Sequence, residues 1–147
     1  MMNDDFYHVF LASELASKQE IHHFIASFAN QQAVDELTAL LADREAVGNT
    51  MIAEHVILPH LESPKIKQSQ VLFIRLEEPV DLNQATPAVQ LVITILLKSG
   101  ETQAIKQRIA QFTRCLADEE FLAQLLTSKN EAAFYQLLET ELDKTKK

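Results

Sequence analysis

The chain is poor in the residues that build phosphate-cradling loops and disulfides. Among 147 residues there are two glycines, Gly48 and Gly100, so no glycine-rich phosphate loop exists and the usual nucleotide-binding fingerprints are absent. A single cysteine, Cys115, excludes an internal disulfide and is typical of a protein from a reducing compartment. Its helical, apolar neighbourhood predicts a core thiol.

The sequence also lacks a long hydrophobic run and an excess of positive charge. The longest apolar run, residues 91–97, is far shorter than the roughly 20 residues of a membrane-spanning helix. The first residues do not have the basic-then-apolar form of a signal peptide. The net charge of −8 argues against a nucleic acid or an anionic membrane as the main partner. We therefore predict a cytoplasmic protein in which residues 1–147 form a single domain.

The apolar pattern predicts helices on both sides of a block of strands. Ser17 and Glu20 form a capping box that opens the first helix, and His22 and His23 fall off its apolar stripe and are expected to be solvated. A second helix is predicted over residues 30–46, ended by Gly48-Asn49. The predicted strands are residues 6–11, 56–58, 71–76 and 88–97, with a polar loop over 61–70 and a turn over 77–82.

The remaining chain is predicted to be helical. Asp118 is expected to cap one short helix, and Ser128 with Glu131 forms a second capping box. The tail, residues 143–147, is expected to fray. This order of elements predicts an α/β sandwich, a mixed β-sheet flanked by helices. The strand over residues 88–97 is apolar on both faces, as a central strand covered on two sides would be.

One stretch, residues 44–60, combines a helix end, a strand and a histidine. The apolar run over residues 56–58 is typical of a buried strand, and Pro59 stops it because proline has no N–H for a ladder. The next side chain, His60, then lies where a buried element meets the surface. Such a position suits a reactive imidazole, because the strand holds it and solvent reaches it.

These residues resemble the EIIA component of the fructose–mannitol class (type 2) of the bacterial sugar phosphotransferase system. The family pattern has an Arg-Glu pair, then Thr-Gly-Ile-Gly-Asn-Gly, then Ile-Ala-Ile-Pro-His. Here Arg44-Glu45, Thr50 and the sequence Ile-Leu-Pro-His ending at His60 take those places, and the spacing from Thr50 to His60 agrees without a gap.

Two later passages are also similar to the family. VLFIRLEEPVD at residues 71–81 resembles its strand that ends in a Pro-Val turn, and RCLADEEFLAQLL at residues 114–126 resembles its leucine-rich helix with an Asp-Glu-Glu-Phe break. The likeness spans about residues 44–138. It implies the family's fold, a mixed sheet flanked by helices.

The resemblance implies a phosphoryl relay. His60 would take a phosphoryl group from the phosphohistidine of HPr and pass it to a cysteine of a cognate EIIB, alongside a membrane EIIC that selects the sugar. Arg44 corresponds to the family arginine near the active site. Its guanidinium and the Thr50 hydroxyl suit the negative charge of a transferring phosphoryl group. The scheme requires no metal and no cofactor.

The chain departs from the family pattern at two places. The family's glycines fall on Met51, Ala53 and His55, and its asparagine falls on Glu54. Many members have a second active-site histidine at the start of the helix after the long strand, where residues 103–105 have none. Galactitol-like branches also depart there, so this chain is a candidate for such a branch. We consider His55 a candidate to fill that gap in space.

These departures leave other functions open. One alternative is a regulatory EIIA-like module, outside transport, in which the altered loop at residues 51–55 serves a protein partner. A further alternative is a metal site formed by His55 and His60. It is disfavoured because two side chains five positions apart on one strand point to opposite faces.

Overall fold

The computed structural model describes residues 6–48 and 50–145, and these residues build a six-stranded sheet and five α-helices. The strands are β1 (Tyr7–Ser13), β2 (Met51–Ala53), β3 (Val56–Ile57), β4 (His60–Ser63), β5 (Gln70–Val80) and β6 (Val89–Lys98). The helices are α1 (Lys18–Ala29), α2 (Val34–Val47), α3 (Gln103–Cys115), α4 (Glu119–Thr127) and α5 (Glu131–Lys144), with a 3₁₀ turn at Gln31–Ala33 before α2. No helix in these ranges is long and apolar enough to span a membrane.

The sheet is mixed and runs in the order β1-β5-β6-β3-β2. β5 and β6 pair antiparallel, as do β2 and β3, whereas β1 lies parallel to β5. β3 and β4 both pair parallel with β6, one after the other: Val56 lies opposite Leu91 and His60 opposite Ile95. The two short strands are therefore one interrupted strand along β6, and His60 opens its second piece.

Helices cover both faces of the sheet, and β6 supplies both cores. Leu91, Ile93 and Ile95 pack with residues of α3, α4 and α5, while Val92 and Leu96 pack with residues of α1 and α2. Alternate side chains of a strand point to opposite faces, so an apolar run buried on both sides is what this strand requires. The predicted α/β sandwich with a central strand is confirmed.

Two predicted helix caps are present. The Glu20 N–H donates to Ser17 Oγ at 3.1 Å, and Glu20 Oε1 accepts from the Ala16 N–H at 2.8 Å. The glutamate thus reaches one residue further back than a standard capping box requires. Asp118 caps α4, since its Oδ1 accepts from the Phe121 N–H at 3.2 Å.

The predicted Ser128 cap is wrong. Asn130 caps α5 instead, because its Oδ1 accepts from the Ala133 N–H at 2.8 Å. The Ser128 hydroxyl has another partner: it accepts from Arg75 Nη1 at 2.9 Å. Sequence spacing could not show this contact with a residue of β5.

Three predicted boundaries also differ from the structure, and one short strand was not predicted. The expected loop over residues 61–70 contains β4, which alternates exposed and buried side chains and so has too few apolar residues to stand out. The expected turn over residues 77–82 is mostly strand, since β5 continues to Val80 past a register shift that accommodates Pro79. The first strand runs to Ser13. β2, a short edge piece, was not predicted.

Two terminal predictions fall partly outside the described residues. The helix end at Gly48-Asn49 agrees with α2 stopping at Val47, but Asn49 is not described. The expected fraying of residues 143–147 is not seen as far as Lys144, which is still helical, and residues 146–147 lie outside the described range.

Candidate functional site

His60 is held by the sheet and reached by solvent. Its side chain is exposed, while its neighbours Pro59 and Leu61 are buried. The Ile95 N–H donates to the Pro59 carbonyl at 3.3 Å, which fixes the backbone just before the histidine. Leu61 packs into the core beneath α1 and α2, so the alternating direction of strand side chains puts His60 on the other face. This arrangement gives a fixed, accessible imidazole.

Arg44 and Thr50 share one narrow crevice. Arg44 lies in the last turn of α2, exposed, with its Nη1 donating to the Gly48 carbonyl at a long 3.5 Å. Thr50 is half-buried, and its carbonyl accepts from the Leu58 N–H at 2.8 Å. Both line a crevice that Pro59 also lines. The structure therefore gathers Arg44, Thr50 and the residue before His60, while the His60 ring itself is not part of the crevice wall.

His22 is buried, contrary to its predicted solvation. It is 7% exposed and lines the same crevice, between α1 and α2. Burial is the largest influence and lowers the pKa of His22, Glu45 opposes that shift, and Lys18 adds to it. The prediction was wrong because the N-terminal part of α1 buries side chains beyond those of its apolar stripe. His23 is exposed, as predicted.

Glu45 connects three segments at this crevice. Its Oε1 lies 3.5 Å from Lys18 Nζ at the start of α1, and its Oε2 accepts from Asn83 Nδ2 in the loop between β5 and β6. In the sequence, Glu45 is half of the Arg-Glu pair, and no role is predicted for it. Nothing in the sequence indicated that Lys18 and Asn83 meet the same carboxylate.

His55 replaces a glycine of the family pattern and compensates for it. Its φ of 71° is in the left-handed region that favours glycine. Its ring Nδ1 lies 2.8 Å from the Ala88 carbonyl, so this nitrogen carries the proton, and its own carbonyl accepts from the N–H groups of Gln90 and Leu91. Its Nε2 is 3.7 Å from Glu54 Oε2. His55 therefore pins the turn between β2 and β3.

The structure does not bring His55 to His60. His55 is bonded beside Gln90, whereas His60 lies opposite Ile95, which separates the two by about 16 Å along β6. The ring of His55 also points further away, toward Ala88. The candidate role of His55 as a second imidazole beside His60 therefore has no geometric support.

The same separation removes the support for a metal site formed by His55 and His60. The two residues lie on different elements, a turn and β4, and not on one strand as predicted. Within residues 6–48 and 50–145, no group of three or more histidine, cysteine and carboxylate side chains is placed to hold a metal ion.

Comparison with known families identifies the group to which this fold and motif belong. The family profile described as "Phosphoenolpyruvate-dependent sugar phosphotransferase system, EIIA 2" matches residues 6–141. The chain is a member of this EIIA family. The resemblance found in residues 44–138 is thereby confirmed, whereas a galactitol-like branch stays a prediction.

Some similar proteins are named for nitrogen regulation and others for phosphoryl transfer. A protein of Bradyrhizobium diazoefficiens named nitrogen regulatory protein is 30% identical over 129 residues, which cover 84% of this chain and 82% of the relative. A multiphosphoryl transfer protein of Shigella flexneri is 31% identical over 107 residues; these cover 73% of this chain but 13% of that larger protein.

Solved structures confirm the fold. The nitrogen regulatory protein IIA-Ntr of Neisseria meningitidis superposes with a TM-score of 0.71 at 20% identity, covering 89% of this chain and 92% of that one. The IIA mannitol protein of Escherichia coli superposes with a TM-score of 0.62 at 24% identity, covering 88% and 94%. The mixed sheet flanked by helices is thus the fold of EIIA proteins with both names.

Proposed function

We propose that this EIIA protein is a phosphocarrier of the phosphotransferase system that accepts a phosphoryl group from phospho-HPr on His60 and passes it to a cysteine of a cognate EIIB. The observation that carries the proposal is the position of His60, exposed at the first residue of β4 between buried Pro59 and buried Leu61. We further propose that residues 1–147 act as a single cytoplasmic domain, working with a membrane EIIC that selects the sugar.

The chemistry is a pair of direct displacements at phosphorus. The lone pair of an unprotonated His60 nitrogen attacks the phosphorus of the donor phosphohistidine, and the old P–N bond breaks with its electrons returning to the donor imidazole. A cysteine thiolate of EIIB then attacks the same phosphorus, and the bond to His60 breaks. Neither nucleophile needs to lose a proton during the step, so catalysis consists of alignment and charge stabilisation.

Arg44 and Thr50 supply that stabilisation in our proposal. Negative charge spreads over three phosphoryl oxygens in the transition state, and a guanidinium offers paired donors to two of them. Arg44 is exposed beside Pro59, and Thr50 lines the same crevice. Cys115 takes no part, because it is fully buried and burial raises the pKa of its thiol.

An EIIB acceptor has support among the relatives. A solved complex from Escherichia coli contains enzyme IIA mannitol with phosphorylated enzyme IIB mannitol, and its IIA chain superposes on this one with a TM-score of 0.63 at 23% identity. Because both partners must reach one imidazole, the exposed setting of His60 suits a carrier that docks two proteins in turn.

A second candidate function is a regulatory EIIA-like module that binds a protein partner outside transport. The 30% identical Bradyrhizobium relative, named for nitrogen regulation, favours it. The turn at residues 51–55 also favours it, since that turn is built from a pinned His55 and a Glu54 side chain that is 89% exposed, in place of glycines and asparagine. In the first function, His60 passes its phosphoryl group to EIIB. In the second, the protein binds a partner, whether or not His60 is phosphorylated.

A reconstituted relay tests the leading proposal. Phosphoenolpyruvate, Enzyme I and HPr are supplied to the wild type, to His60→Ala and to a matched control, His55→Ala. We expect the wild type and the control to become phosphorylated and His60→Ala to remain unlabelled while folded. Label on His60→Ala contradicts the assignment. A folded wild type that takes no label favours the regulatory module, and chase of the label onto an added EIIB favours the carrier.

A further inference from the structure

We propose that Glu45 is a positioning residue for Arg44: its carboxylate ties the last turn of α2 to α1 and to the loop between β5 and β6, and so holds the guanidinium at the crevice that Pro59, the residue before His60, also lines. This inference rests on the proposed phosphoryl transfer at His60.

The last turn of α2 has no buried apolar side chain to anchor it. The buried side chains of this helix are Leu37 and Leu41, both before its last turn. After Leu41 the residues of the turn are exposed except Glu45. Helix ends leave backbone groups unpaired and open easily, so a turn without an apolar anchor is mobile unless side chains fix it.

Glu45 is that fixed point. Its side chain is 12% exposed, and its two oxygens meet two different partners. One oxygen pairs with Lys18 Nζ at 3.5 Å, and the other accepts from Asn83 Nδ2. Lys18 is the first residue of α1, and Asn83 lies in the loop that leads to β6. One carboxylate therefore joins α1, α2 and the loop between β5 and β6.

The alternative, that Glu45 itself meets the phosphoryl group, is excluded by charge. A carboxylate repels a phosphoryl oxygen, and both oxygens of Glu45 already have partners, since one forms an ion pair with Lys18 and the other accepts from Asn83 Nδ2. The neighbouring Arg44 has the opposite charge and, among the described residues, one long hydrogen bond, to the Gly48 carbonyl. Glu45 therefore acts through Arg44 and not on the substrate.

A double-mutant cycle tests this coupling. The rate of phosphoryl acceptance is measured at saturating phospho-HPr for the wild type, Glu45→Gln, Arg44→Ala and the double variant. We expect Glu45→Gln to lower the rate about tenfold, because a misplacement of about 1 Å can cost about 100-fold and the loss of one contact should displace Arg44 by less than that. In the Arg44→Ala background the same substitution should have no further effect.

Asp43→Asn is the matched control. Asp43 is exposed in the same turn, on the other side of Arg44, and its substitution removes the same charge. We expect its rate to equal that of the wild type. Equal effects of Glu45→Gln and Asp43→Asn, or an undiminished effect of Glu45→Gln in the Arg44→Ala background, overturn the proposal.

Two further measurements keep the test decisive. If Glu45→Gln does not fold, Lys18→Met and Asn83→Ala each remove one partner of Glu45 and should each slow the transfer only when Arg44 is present. If the wild type accepts no phosphate, the proposed function fails, but the positioning of Arg44 by Glu45 can still be tested. The heteronuclear NOE of the Arg44 Nε–H group should fall in Glu45→Gln and not in Asp43→Asn; an unchanged value in both overturns the proposal.

Discussion

Arg75 and Arg44 each donate to a carbonyl at the end of a helix, and their surroundings differ. Arg75 on β5 reaches the end of α4, where Nη1 donates to the Leu125 carbonyl at 2.8 Å and Nη2 to the Ser128 carbonyl at 2.7 Å. Arg44 lies in the last turn of α2 itself and donates to the Gly48 carbonyl at 3.5 Å. Arg75 is half-buried on the face of α4 and α5, whereas Arg44 is exposed beside the crevice.

The difference indicates how the fold divides its charges. A half-buried guanidinium that completes the open carbonyls of a helix end contributes to stability, because removing it leaves those acceptors without partners. An exposed guanidinium with one long contact contributes little to stability and keeps its donors available to an anion. The Arg75 guanidinium thus supports the fold, whereas the Arg44 guanidinium at the crevice between α1 and α2 keeps donors that the proposed phosphoryl transfer would use.

The largest expected effect is on stability, at Arg75. Arg75→Ala should lower the free energy of unfolding by about 2–3 kcal/mol, since two partly buried carbonyls lose charged donors. Arg75→Lys should recover only part of the lost free energy of unfolding, because an ammonium cannot reproduce the planar, two-pronged donor geometry of a guanidinium. Urea titration measures both. The folded Arg75→Ala protein should accept phosphate at the wild-type rate, and a large loss of rate would break the comparison.

Arg44 should show the reverse pattern. Arg44→Ala is expected to slow phosphoryl acceptance about 100-fold, the usual size for loss of one donor that stabilises transition-state charge. Its free energy of unfolding should change by about 0.5 kcal/mol or less. Arg114→Ala is the matched control, because Arg114 is an exposed arginine in the last turn of α3. Quench-flow and urea titration separate the two effects, and a similar rate loss in the control would remove the special role of Arg44.

The turn at His55 sharpens the comparison by showing a histidine used for support. His55→Ala should cost about 1–2 kcal/mol, because the side-chain hydrogen bond to the Ala88 carbonyl is lost while the left-handed backbone remains. His55→Gly should cost less, since glycine adopts that φ without strain. Thermal or chemical unfolding distinguishes the two. A glycine variant less stable than the alanine variant contradicts this account.

The smallest expected effect is the pH dependence contributed by His22. Burial lowers its pKa in the folded protein, so below the ordinary value of about 6.5 the unfolded chain binds the proton more readily. Stability from this group is therefore full above that value and is lost as the pH falls through it. His22→Asn should flatten the stability profile as the pH falls below about 6.5. An unchanged slope in the variant contradicts the buried setting of His22.

The sequence alone predicts the parts of this molecule that depend on local pattern. The central strand was evident because residues 88–97 are apolar on both faces, and the Pro59-His60 step marked the edge where a strand stops. β4 was missed because its alternation of buried Leu61 and Ser63 with exposed neighbours looks like a polar loop.

The parts that depend on distant contacts could not be predicted. Asn83 and Glu45 are 38 positions apart and meet only once the sheet and helices are assembled. The burial of His22 depends on how α1 packs against the end of α2, and the loss of Ser128 as a cap depends on an arginine 53 positions away. In each case a polar side chain finds a partner that only the three-dimensional arrangement supplies.

The most direct test of the account is to locate the phosphoryl group on the wild-type protein. After phosphorylation through Enzyme I and HPr, the ring signals of all five histidines can be followed in ¹H–¹⁵N spectra, with tandem mass spectrometry to assign the modified peptide. We predict that the His60 imidazole alone acquires the phosphoryl group. A phosphoryl group on His55 or on any other residue would contradict the account.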